Sequence, residues 1–125
     1  MIARTSGPRT SVQRASMQRG DVVAVADRGG EFTGKPRPAV IIQSDLFSGL
    51  DSVSVCPLSS LAMDAQVLRL AIQPSDTLKL DRESWVMVDK ITTVRRSRVG
   101  PPIGRLAAAD IQRLNGALAV FLGLG

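Results

Sequence analysis

With 125 residues, 44% of them hydrophobic, the chain is one domain's worth of protein; at 3% aromatics its core has to be built from Val, Ile, Leu and Ala. The formal charge of +5 is concentrated at the start, where Arg4, Arg9, Arg14 and Arg19 stand without an acid; the other twelve basic residues face eleven acidic ones, so any polyanion-binding surface has to be local. Histidine is absent and Cys56 is the only cysteine, which excludes imidazole acid–base chemistry, histidine-dependent serine triads, His-ligated metals and an intrachain disulfide.

Residues 1–17 are polar, rich in Arg, Ser and Thr, and without periodicity, so they read as a disordered arm ahead of a domain over 18–125. The arginines there have no apolar block behind them and do not make a secretory signal. Residues 21–26, DVVAVA, form a β-branched strand closed by the turn formers Asp27-Arg28-Gly29-Gly30. After a loop that ends in Pro36-Arg37-Pro38, the continuous apolar run 39–43, AVIIQ, suggests a strand covered on both faces. Residues 44–52 read as a polar turn region with Leu46 and Phe47 turned inward.

Residues 52–58, SVSVCPL, alternate until Pro57, which places a bulge or sheet edge there. A short strand is expected over 67–72 and a long one over 85–94, with Gly100-Pro101-Pro102 ending the β portion. Residues 107–122 carry Ile111, Leu114, Leu118, Phe121 and Leu122 at helical spacing, with Gly123 as the stop. Five or more short strands and one terminal amphipathic helix predict a mainly β (α+β) protein, a small curled sheet or barrel with a helix packed on it. No stretch approaches the ~20 apolar residues of a membrane span, and a soluble cytoplasmic protein is expected.

Taken singly, the chemistry-bearing residues have ordinary readings. An arginine between two prolines is usually a solvated charge, and a serine at a strand end usually belongs to a turn. Asp89 can pair with Arg69 or Lys90. Arg95, Arg96 and Arg98 form the densest basic run, Trp85 suits the core or a dimer interface, and Cys56 suits a buried small hydrophobe.

The order of the segments, however, resembles one family. Arg19-Gly20-Asp21-Val22-Val23 looks like the opening of MazF/PemK toxins, and residues 34–45, GKPRPAVIIQSD, look like their GK-x-RPA segment followed by an apolar strand. Val55-Cys56-Pro57-Leu58-Ser59-Ser60 is similar to the strand that ends in a hydroxyl residue. Residues 86–94, VMVDKITTV, resemble the V-x-x-D-Q/K-x-x-T segment, and Gly104-Arg105-Leu106 with the terminal helix completes the series. The likeness covers about residues 18–124.

The resemblance implies an SH3-like small β-barrel and a homodimer. It implies a toxin that cuts single-stranded RNA without a metal or other cofactor and is held in check by a cognate antitoxin. In that scheme the 2′-hydroxyl attacks the adjacent phosphate, leaving a cyclic phosphate and a free 5′-hydroxyl. The family's catalytic pair falls on Arg37 and Ser59, where serine replaces the more common threonine. Arg37 can grip two phosphate oxygens as charge builds on them, but is a poor base. Proton removal from the 2′-hydroxyl leaves Asp89 and Glu31 as candidates, with Asp89 favoured because a strand is the stiffer platform. Glu31, Lys35, Lys90 and Arg95 are the further candidates for RNA contact. Two other readings stay open: a gyrase-inhibiting toxin of the CcdB kind on the same fold, and a non-catalytic SH3-like binding module. The nuclease reading requires Arg37 and Ser59 to stand together on one groove.

Overall fold

Valine-rich strands make the middle of the sheet. The computed structural model describes residues 17–26, 36–61 and 68–125, and contains β1 (Asp21–Val25), β2 (Arg37–Ile41), β3 (Ser52–Ser59), β4 (Arg69–Ile72), β5 (Ser84–Met87), β6 (Thr92–Arg95), β7 (Val99–Arg105) and the helix α1 (Ala108–Leu122). All pairings are antiparallel, in the order β4-β5-β3-β2-β1-β7, with β6 on β3 as well. Consecutive side chains on a strand point to opposite faces. Val22 and Val40 therefore enter one apolar cluster, while Val23, Ala39 and Ile41 enter another. The expectation that the 39–43 run is covered on both faces holds.

The second cluster adds Val53 and Val55 of β3 and Val94 of β6. The first takes Leu114 and Leu118 of α1 together with Ile72, Leu78, Val86 and Val88. Among the described residues β6 pairs with no strand but β3 and β7 with no strand but β1, so the barrel is incompletely closed. Cys56 is fully buried in the first cluster, and burial pushes its thiol up to about 11. No helix among the described residues is long and apolar enough to cross a membrane.

β3 is the strand that joins the two halves. Its residues Ser52 to Val55 pair with β6, whereas Leu58 and Ser59 pair with β5. The change of partner falls across Cys56-Pro57, where the proline has no N–H to offer a ladder. The edge expected at Pro57 is thus a switch between two neighbours, and the strand runs on to Ser59.

Several expectations need correction. Residues 85–94 are two strands, because Val88–Lys90 form a 3-10 turn between β5 and β6. Pro101 and Pro102 do not end the β portion: β7 is an edge strand, and its ladder with β1 slips at Val22/Val23 and Val23/Val25, which accommodates residues without a donor. Leu46 and Phe47 are 88% and 54% exposed, carried outward on a 3-10 turn whose Leu46 N–H is capped by the Ser44 hydroxyl. Phe121 and Leu122 are also exposed, since the buried stripe of α1 ends at Leu118. Of the segment 1–17 expected to be an arm, residues 1–16 lie outside the described residues; Met17 is half-buried and packs on the second cluster.

The Arg19-Gly20-Asp21 motif is a structural clasp. Gly20 has φ 92°, and a Cβ there would meet Ile111 Cδ1 at 2.8 Å. Arg19 Nε donates to the Ile42 carbonyl, and Asp21 pairs with Arg105 at 3.0 Å.

A second close approach positions one wall of the site. The turn 75–78 zips onto the edge of β7 through Arg105 N–H to Thr77 O (3.1 Å) and Lys79 N–H to Ile103 O (3.2 Å). A Cβ on Gly104 would stand 2.2 Å from Thr77 O and 2.5 Å from Leu78 Cα. Gly104→Ala is therefore expected to cost about 2 kcal/mol by forcing two backbones apart. Urea melts of the variant check this; a melt superimposable on that of the parent would disprove the contact.

Candidate active site

Arg37 opens β2 and Ser59 closes β3. The register between these strands runs Ile41 to Val55, Val40 to Cys56 and Ala39 to Pro57; continued two steps past that last ladder pair, it sets Arg37 across from Ser59. Directly opposed residues share a face and are side-chain neighbours. The next strand continues the row, with Trp85 paired to Ser59. The sequence thus brings a guanidinium, a hydroxyl and a half-buried indole into line through three antiparallel strands.

Both Arg37 and Ser59 line an open cavity of about 490 Å³, walled elsewhere by Ser60, Lys79, Asp81, Arg82, Ser84 and Met87. Pro36 and Pro38 on either side of Arg37 fix the backbone that carries it. Among the described residues Arg37 has no ion pair or side-chain hydrogen bond, and its side chain is exposed. The Ser59 hydroxyl oxygen accepts from the Leu61 N–H at 3.0 Å. That bond occupies a lone pair and leaves the hydroxyl proton to be donated into the cavity. A smaller cavity of about 170 Å³, lined by Val25, Ala39, Val55, Thr92, Val94 and Arg98, shares Arg37 with the first. Arg37 therefore stands on the ridge between the two.

The other expected site residues are not gathered there. Asp89 sits on the 3-10 turn rather than on a strand, does not line the cavity and is ion-paired with Arg69, whose side chain is buried. Desolvation works to raise its pKa, but the hydrogen bond and charge of Arg69 prevail and hold it below the usual 3.8. A carboxylate so engaged is a weak base, which removes the reason for preferring Asp89 as proton acceptor. Lys90 is exposed on the same turn, and Arg95 lines a separate concavity with Gly49, Leu50 and Asp51. Glu31 and Lys35 lie outside the described residues. Arg96 and Arg98 are engaged with the Leu50 and Ala26 carbonyls.

Sequence reasoning missed Lys79, Asp81 and Arg82, which reach the cavity from the segment before β5. The alternating charges of Lys79-Leu80-Asp81-Arg82 were the only signal, and it has no meaning without the β7 edge that holds the segment in place.

The class defined here is a small open β-barrel with uncommitted cations and a hydroxyl around one groove, an arrangement suited to an anionic ligand. The particular family follows from comparison with known proteins. The chain belongs to the family of PemK-like, MazF-like toxins of type II toxin–antitoxin systems, whose model matches residues 18–122. It is 46% identical over 108 residues to a probable endoribonuclease MazF of Mycolicibacterium smegmatis, covering 86% of this chain and 98% of that protein. It is 29% identical over 112 residues to the endoribonuclease MazF of Staphylococcus saprophyticus, covering 86% and 92%. Among solved structures, an endoribonuclease in complex with its cognate antitoxin from a mycobacterial species superposes with a TM-score of 0.70 at 24% identity, over 86% of this chain and 96% of that one. A MazE–MazF complex from Deinococcus radiodurans gives 0.66 at 22% identity, over 86% and 96%. These two establish the fold, an SH3-like small barrel with a terminal helix.

Proposed function

We propose that the chain is the toxin of a type II toxin–antitoxin pair, an endoribonuclease that cuts single-stranded RNA, mRNA in the cell, without a metal ion. The observation that carries this is that Arg37 and Ser59, each two residues beyond the last β2–β3 pair, line the wall of one open cavity. In-line attack of a 2′-hydroxyl on the neighbouring phosphate builds charge on the non-bridging oxygens. Arg37, without a competing anion, accepts those oxygens in its fork, and Ser59 donates its hydroxyl proton to the same group. The attack forms the 2′-O–P bond and breaks the 5′-O–P bond; the 2′-hydroxyl proton passes to solvent water, the departing 5′-oxygen takes one up from it, and Ser59 keeps its own as a hydrogen-bond donor. The products are a 2′,3′-cyclic phosphate and a free 5′-hydroxyl.

The 46% identity to a probable endoribonuclease MazF supports the same chemistry. It acts in the cytoplasm, where its RNA substrate is. Complexes with an antitoxin occur among its structural neighbours, and a cognate antitoxin is the partner proposed for this chain, one that would block Arg37 by lying across the open groove. Val120, Phe121, Leu122 and Leu124 leave the end of α1 apolar and exposed, which suits a homodimer.

Incubating the purified chain with a defined single-stranded RNA in excess EDTA tests the proposal. Expected are fragments with cyclic-phosphate and 5′-hydroxyl ends, and cleavage slowed about tenfold or more in Ser59→Ala. RNA left whole, or cut only when metal is restored, would refute it. A gyrase poison on this fold would instead leave RNA whole and trap DNA breaks.

A further inference from the structure

We propose that Lys79 and Arg82 bind a second backbone phosphate of the RNA, next to the one held by Arg37, and so set how the strand is threaded through the cavity. The inference rests on the endoribonuclease reading and adds to it a binding position outside the Arg37–Ser59 pair.

The cations of this protein sort themselves by what they touch. Arg19, Arg96 and Arg98 donate to backbone carbonyls, and Arg69, Arg105 and Arg113 pair with Asp89, Asp21 and Asp110. Lys79, Arg82 and Arg37 have no such partner among the described residues, and all three line the same cavity. Lys90 and Arg95 are also unengaged, but neither lines it. Three of these five unengaged cations therefore stand around the one groove that holds Arg37 and Ser59.

The wall that carries them is also held in place. Leu78 is 3% exposed in the first cluster, Ser75 and Leu78 exchange backbone hydrogen bonds at 3.0 and 3.1 Å, and Lys79 N–H reaches Ile103 O. Asp81, between the two cations in sequence, also lines the cavity. Its carboxylate repels phosphate and limits the pull of the wall, so its neutralisation should act in the opposite direction to loss of the cations.

The test is binding of a non-cleavable single-stranded oligonucleotide, 2′-O-methylated throughout, measured against salt concentration for the full chain. Each phosphate contact to a single strand contributes about 0.7 to the slope of log K against log salt, so losing this one contact in Lys79→Ala/Arg82→Ala should flatten it by about 0.7. Asp81→Asn should tighten binding, and Arg113→Gln, which removes a charge from the surface of α1, should leave the slope unchanged. With cleavable RNA the double variant should raise KM and keep kcat. A double variant with the parent's slope would overturn the inference, as would a fall in kcat at constant KM or a loss confined to antitoxin binding. Because the binding arm does not need cutting, its failure is distinct from the failure of the nuclease reading, which shows as intact RNA with the parent chain.

Discussion

Replacing Arg37 with alanine is expected to lower the rate of RNA cleavage by about two to three orders of magnitude, the usual loss when one preorganised donor to a developing oxyanion is removed. The side chain is exposed and bonded to nothing among the described residues, so its removal should leave stability within about 0.5 kcal/mol of the parent. That combination separates a catalytic guanidinium from a structural one. Lysine at the same position keeps the charge but not the two-pronged geometry, and should recover only part of the loss. Single-turnover cleavage of a labelled RNA reads the rate, and thermal melting reads the stability. An alanine variant that cuts as fast as the parent would remove Arg37 from the mechanism.

The second large effect is on stability and comes from the other side of the sheet's split. Arg69 has a side chain only 6% exposed and is paired with Asp89 at 23%. Arg69→Met leaves the carboxylate half out of water without its counter-charge, and should cost about 3 kcal/mol, the low end for breaking a buried pair because Asp89 keeps some solvent. The melting temperature should fall by roughly 10 °C. The pH dependence fixes the sign. Asp89 titrates below 3.8 in the folded chain, so the pair's contribution is complete above that value and is lost as pH falls through the lowered pKa. The gap between parent and Arg69→Met should be constant from about pH 5 to pH 8 and close on acidification. A gap that instead widened in acid would contradict the ion pair. Asp89→Asn should likewise weaken the fold while leaving the cleavage rate of folded protein in place, whereas an Asp89 acting as base would lose the rate first.

Much of the architecture was legible because it follows from local patterns. The β-branched run 21–26, the apolar run 39–43 and the alternation of 52–58 bury what their periodicity says they should, as do Leu114 and Leu118 of the helical stripe, whereas Phe121 and Leu122 of the same stripe stay exposed. The failures come where tertiary contacts decide. Nothing local in 85–94 announces a break, and the 3-10 turn falls on Asp89, which is pinned by an arginine twenty positions upstream. Leu46 and Phe47 are apolar but ride a capped turn that faces outward.

The site divides in the same way. Arg37 and Ser59 could be named from the family resemblance, and their opposition follows once the β2–β3 register is known. Lys79 and Arg82 could not, because a loop of mixed charge acquires a direction only when Thr77 and Ile103 lock it to an edge strand.

Cys56 has a consequence of a different order. The chain's one sulfhydryl is sealed between the helix and the sheet and is kept protonated by a value near 11, so it offers no thiolate to peroxide or to alkylating reagents. Peroxide should therefore leave this thiol unmodified at levels that disable cysteine-dependent enzymes. For the experimenter, a second cysteine introduced anywhere on the surface becomes a unique attachment point for a fluorophore, with no need to remove the first.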